Sequence, residues 1–153
     1  MATIAPGQKA PEFTLKDQNQ NEVSLSSLRG QTVVLAFYPL DFSPVCSKEH
    51  GCFKEDASKL SSANAQVLGI SVDHHWAHHA FAKSLGIDYP LLADFHPKGA
   101  VATQYGLFQA DKGFTSRATV IIDDQGKVAF TQEHGLGEAR NDETILEALK
   151  KLG

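Results

Sequence analysis

The chain has 153 residues, 42% of them hydrophobic and 21% charged, with a formal net charge of -4 at pH 7. That length allows one sizeable core but not two comfortable domains, so a single domain over residues 1–153 is expected. The negative balance argues against a nucleic-acid partner, and the longest uncharged apolar run, VVLAFYPL, is far short of a membrane span.

Residues 1–12 are punctuated by Pro and Gly and read as irregular. PEFTLKDQNQNEVSL alternates apolar and polar residues around a polar centre, the pattern of a small hairpin at the edge of a fold. SLSSLRG reads as one helical turn stopped by Gly30. Thr32 to Tyr38 is β-branched and aromatic, as in a central strand buried on both faces. From Pro44 the spacing turns helical as far as about Ser62, with Ser43 available as N-cap and Pro44 at the first helical position. QVLGISV is the next strand, and HWAHHAFAKSLG a helix ended by Gly86, with Asp73 placed to cap it. YPLLAD is strand-like and PKGAVATQYG a short helix. RATVIIDDQGKVAFTQE is the clearest hairpin, its turn carried by Gly126. NDETILEALKKLG closes the chain as an amphipathic helix from about Asn141. This alternation predicts an α/β fold, a mixed sheet with helices on both faces.

Both cysteines fall in one short stretch, YPLDFSPVCSKEHGC. Cys46 lies in the first turn of the expected helix, where unpaired backbone N–H groups favour an anion and so a thiolate. The alternative is a buried, inert cysteine. Cys52 comes six residues later, about 9 Å further along a helix axis, whereas a disulfide needs Cα atoms within about 7 Å. An intact helix therefore forbids the bond, and any Cys46–Cys52 disulfide is a transient species that forms after local unwinding. Two cysteines do not make a disulfide scaffold, and MATIAPGQKAPEF has no apolar stretch behind basic residues, so a cytoplasmic location is expected.

PLDFSPVC resembles the P-x-x-x-T/S-x-x-C signature of the peroxiredoxins, with Pro39, Ser43 and Cys46 at its three defining positions. Glu49, SVDHHWAHHAF and Arg117 before TVIIDDQGKV continue the resemblance along nearly the whole chain. DFHPKGAVATQYGLF is most similar to the AhpE-type and bacterioferritin-comigratory-protein-like subgroups. The resemblance implies a thioredoxin-like fold with an N-terminal β-hairpin extension. It also implies a thiol peroxidase in which the Cys46 thiolate attacks a hydroperoxide and becomes a sulfenic acid. Arg117 is then the active-site arginine that stabilises the thiolate and the parting oxygens. Ser43 and the N–H groups of Val45 and Cys46 are further donors, Pro39 directs the chain out of the strand, and Glu49 orients Arg117 through a bidentate pair.

Two departures from the family pattern stand out. Serine replaces the commoner threonine at position 43, which keeps the hydroxyl. The resolving cysteine of two-cysteine relatives usually follows the first by five residues, and here the spacing is six, which turns the second sulfur by about 100°. Gly51 immediately before Cys52 lowers the cost of unwinding by about 1 kcal/mol relative to alanine. On balance Cys52 is expected to resolve the sulfenic acid, while a one-cysteine peroxidase and a non-peroxidatic disulfide-exchange module stay open. The implied partners are a small hydroperoxide and a thioredoxin-like protein or low-molecular-weight thiol as reductant, with a homodimer suggested by the subgroup.

HHWAHH places His74/His78 and His75/His79 at i,i+4 spacing, which brings each pair together on a helix. Two ligands make an incomplete metal site, so no resident metal is expected. Trp76 reads as packing or interface area. A phosphoacceptor or hydrolase built on Asp73 and Asp94 lacks a glycine-rich phosphate loop or a G-x-S-x-G motif, and no cofactor is expected.

Overall fold

The structure is a computed structural model, which describes residues 3–44, 60, 64–135 and 142–152. At its centre are five strands in the order β5-β4-β3-β8-β9. In chain order these are β3 (Thr32–Phe37), β4 (Ala65–Ser71), β5 (Leu91–Ala93), β8 (Arg117–Ile122) and β9 (Val128–His134). β3, β4 and β5 run parallel, β8 pairs antiparallel with β3, and β9 pairs antiparallel with β8, so the sheet is mixed as expected. β3 is the middle strand, and Val33 to Phe37 are buried throughout. Its unbroken apolar run reflects cover on both faces.

Alternate residues of the strands serve two separate cores. On one face Val34, Ala36, Val67, Leu91 and Ile121 pack with Phe81 and Ala82 of α1 (His75–Leu85) and with Ile145 and Leu149 of α3 (Asp142–Leu152). On the other, Leu35, Phe37, Leu68, Ile70 and Val120 pack with Val101, Ala102 and Tyr105 on and beside α2 (Ala100–Gln104), and with Phe13 and Leu25 of the N-terminal region. That region is the expected hairpin, β1 (Thr14–Lys16) against β2 (Glu22–Ser24), followed by a 3-10 turn over Leu25–Leu28. Tyr105 ties it down, with its ring 5.4 Å from that of Phe37 and its hydroxyl donating to the Pro11 carbonyl at 2.8 Å.

Two details differ from the sequence reading. A two-residue ladder, β6 (Phe108–Gln109) with β7 (Phe114–Thr115), is present in a stretch too short to show any alternation. Asp73 does not cap α1: His74 does, its Nδ1 accepting from the Trp76 N–H at 3.2 Å. Asp73 is held instead by the Ser71 hydroxyl and the Asp41 N–H. The cysteine-bearing helix lies almost wholly outside the described residues, as does Asn141.

Candidate active site

β3 and β4 are parallel, so their C-terminal ends lie side by side at one edge of the sheet, where ligand sites of open α/β folds gather. From the end of β3 the chain passes through Tyr38 and Pro39, both buried, to Asp41, Phe42 and Ser43. β8 runs the opposite way, and its pairing of Ala118 with Phe37 brings Arg117, one residue earlier, level with the point where that stretch leaves β3. The fold therefore assembles Pro39, Ser43 and Arg117 at one end of the sheet.

Arg117 is only 1% exposed. An arginine is almost never so buried unless a partner or ligand offsets the loss of hydration, so a solvated strand-edge charge is ruled out. The hydroxyl oxygen of Ser43 is buried with no hydrogen-bond partner among the described residues, leaving its proton and lone pairs available to a bound molecule. Phe42 between them takes a left-handed backbone, φ 67°, which costs a residue with a Cβ about 1–2 kcal/mol. Its ring packs edge-on against Phe81 of α1 at 5.1 Å. Cys46, Glu49 and Cys52 lie outside the described residues, and with them the distance between the sulfurs and the Glu49–Arg117 pair.

Beneath this stretch is a polar cluster that motif reading did not single out. The Tyr38 hydroxyl donates to Asp41 Oδ1 at 2.6 Å, and Asp41 Oδ2 lies 2.7 Å from His78 Nδ1. His78 Nε2 donates to the Leu92 carbonyl at 3.0 Å. The Asp41 N–H donates to Asp73 Oδ2 at 2.9 Å, and that oxygen also accepts from the Ser71 hydroxyl. Burial drives the Tyr38 hydroxyl well above its ordinary pKa, and the negative charge of Asp41 adds to the effect. Burial and the same neighbour raise the Asp73 carboxyl. The signal for this cluster was present but divided: Asp41 occupies an unspecified position of the signature, and His78 read as one of an i,i+4 histidine pair.

The structure separates the His74/His78 pair. His78 is fully buried with both ring nitrogens engaged, so it cannot chelate a metal together with His74. His79 Nδ1 faces the Gln18 carbonyl at 3.2 Å. Asp41, Asp73 and His78 do bring ligand-type atoms within 4.8 Å of one another, but they are already joined through hydrogen bonds. Asp94 is also spent structurally, its two oxygens accepting from the N–H groups of Val101 and Ala102 at 3.0 and 2.9 Å.

The mixed α/β sheet is that of a thioredoxin-like fold, and the relatives that match the chain make it a thiol-dependent peroxidase. Residues 6–131 match the AhpC/TSA family, and the chain belongs to it. It is 36% identical over 147 residues to alkyl hydroperoxide reductase E of Mycobacterium tuberculosis, covering 95% of this chain and 96% of that one. It is 35% identical to chloroplastic peroxiredoxin Q of Populus jackii, covering 99% of this chain and 70% of the relative. Among solved structures, peroxidoxin BcpB from Mycobacterium tuberculosis superposes with a TM-score of 0.88 at 30% identity, covering 98% of this chain and 99% of that chain. These matches agree with the peroxiredoxin resemblance and with its AhpE-type and bacterioferritin-comigratory subgroups.

Proposed function

We propose that this single-domain chain reduces hydrogen peroxide and organic hydroperoxides through Cys46. The thiolate attacks the distal oxygen of ROOH, a sulfur–oxygen bond forms as the O–O bond breaks, and the alkoxide leaves as an alcohol after taking a proton. The observation that carries this is the buried Arg117, level with the stretch that bears Pro39 and Ser43. Its planar fork of donors suits both a thiolate and the negative charge that builds on two oxygens. The uncommitted Ser43 hydroxyl is a second donor, Pro39 sets the exit from β3, and Glu49 orients the arginine.

The sulfenic acid is next attacked by the Cys52 thiol, which forms a Cys46–Cys52 disulfide and releases water. A thioredoxin-like protein or a low-molecular-weight thiol then reduces the disulfide by exchange. The place of action is the cytoplasm, where such thiols are kept reduced. Among the described residues no helix is long and apolar enough to cross a membrane. A second copy of the chain, in a homodimer, is a further candidate partner.

The test is rapid mixing of the reduced protein with one equivalent of hydrogen peroxide, followed by alkylation of free thiols and mapping by mass spectrometry. Wild type should consume peroxide and yield a 46–52 disulfide within seconds, and Cys46→Ser should do neither. Fast peroxide reduction by Cys46→Ser would overturn the nucleophile. A lasting sulfenic acid with Cys52 still alkylated would make this a one-cysteine enzyme.

A further inference from the structure

We propose that His78 and Asp41 are positioning residues for peroxide reduction, a buried clamp that holds the stretch from Pro39 to Ser43 in the shape from which Cys46 reacts. The inference rests on Cys46 as nucleophile. It concerns two side chains to which that chemistry assigns no part.

The protons of the His78–Asp41 pair can be placed from its hydrogen bonds, with the Tyr38 hydroxyl also 3.3 Å from His78 Nδ1. A carbonyl oxygen only accepts, so His78 Nε2, 3.0 Å from the Leu92 oxygen, must carry a hydrogen. The 2.7 Å contact between His78 Nδ1 and Asp41 Oδ2 needs one more proton, held by either partner. The pair is thus an imidazolium with a carboxylate or an imidazole with a carboxylic acid, and it is neutral overall in both forms. The Tyr38 hydroxyl takes the other carboxyl oxygen, and the backbone N–H of Asp41 is bound by Asp73. Asp41 is consequently held from the end of β3, from the end of β4, and from α1 and β5 through His78.

A loop residue does not ordinarily receive this much of a protein's interior. Phe42, the next residue, has a backbone conformation that is sparsely populated in a free chain and so must be imposed from outside the loop. After it comes Ser43 with its uncommitted hydroxyl, and Cys46 follows three residues later. Apolar packing could anchor the loop but would not set its direction. Hydrogen bonds to both oxygens of one carboxyl do, and small misplacements of reacting groups are costly in rate.

The experiment compares Asp41→Asn, Asp41→Ala and His78→Leu with wild type and Cys46→Ser in the full chain. It measures the second-order rate of Cys46 oxidation by hydrogen peroxide, the pH at which the Cys46 thiol ionises, and folding by circular dichroism. Asparagine can keep every bond, its carbonyl accepting from Tyr38 and its amide donating to Nδ1 of a neutral His78. Asp41→Asn should therefore stay close to the wild-type rate, while Asp41→Ala and His78→Leu, still folded, fall by about tenfold or more. Wild-type rates in both of the latter would overturn the clamp. A loss in Asp41→Asn as deep as in Asp41→Ala would also overturn it, because charge and not geometry would then be at work. Should His78→Leu fail to fold, the Asp41 pair of variants decides. A wild type without Cys46-dependent oxidation would instead refute the nucleophile, and the clamp with it.

Discussion

Asp73 and Asp94 are both held above the ordinary carboxylate range, and burial is the first cause for each. A raised folded pKa means that, as pH climbs from the unfolded value, the folded chain keeps its proton while the unfolded chain has lost it. Stability therefore falls through the window between the two values and stays at the lower level above it. At Asp73 one oxygen, Oδ2, accepts both the Asp41 N–H and the Ser71 hydroxyl, a task an asparagine carbonyl can take over. Asp73→Asn should raise the melting temperature at pH 7, with the gain shrinking as pH falls below about 4, near the unfolded carboxyl value. An equal shift at both pH values would show that the carboxylate charge is not the cost. Asp94 uses both oxygens as acceptors, so Asp94→Asn sets an N–H against an N–H and should destabilise by about 1–3 kcal/mol in urea unfolding. Sequence could name both aspartates as strand-end residues, but their opposite answers to one substitution follow from which oxygens are occupied.

Among the elements, α2 is the clearest case of a local rule meeting a tertiary one. Its N-cap, Gly99, has φ 71°, and a Cβ there would lie 2.3 Å from the Phe108 ring. Gly99→Ala combines left-handed strain with a clash in the hinge between α2 and β6. It should cost about 2–4 kcal/mol, measured by chemical unfolding, with the partial rescue by Phe108→Leu marking the steric share. The glycine was visible inside PKGAVATQYG, but the ring above it belongs to a strand that only the folded chain reveals. α1 shows the converse. Its end at Gly86, φ 68°, was legible as a C-cap, whereas its start was misassigned because His74 and Asp73 compete for the cap and Asp73 is drawn toward Asp41.

At the scale of the molecule, the exposed large apolar side chains suggest where a second copy would sit. Trp76 is 72% exposed and Phe95 50%, and the ring of His74 lies 5.0 and 4.9 Å from theirs. Leu40 and Phe42, also exposed, flank Asp41, whose N–H is bound by Asp73 next to His74. Such surface is commonly covered by a partner, and the cluster lies beside the candidate site. If the chain pairs with itself here, Trp76→Glu should shift it to monomer in sedimentation velocity without changing its circular dichroism. A dimer unaffected by the substitution would put the interface on another face.

Among the described residues, the order of the longer elements, the central position of β3 and the hairpin around Gly126 were legible in the chain. Each depends on periodicity, turn chemistry or a short motif, and these act over a few neighbouring residues. Depth and direction were not. That Arg117 is fully buried, and that it comes level with a stretch some 75 residues earlier, follows from the antiparallel pairing of β8 with β3. That His78 binds Asp41 rather than pairing with His74 follows from the rotation of α1 against the sheet, which turns one side of HHWAHH inward. Sequence spacing tells which side chains share a helix face, but what that face meets is set by packing, because burial energy is shared among elements distant along the chain.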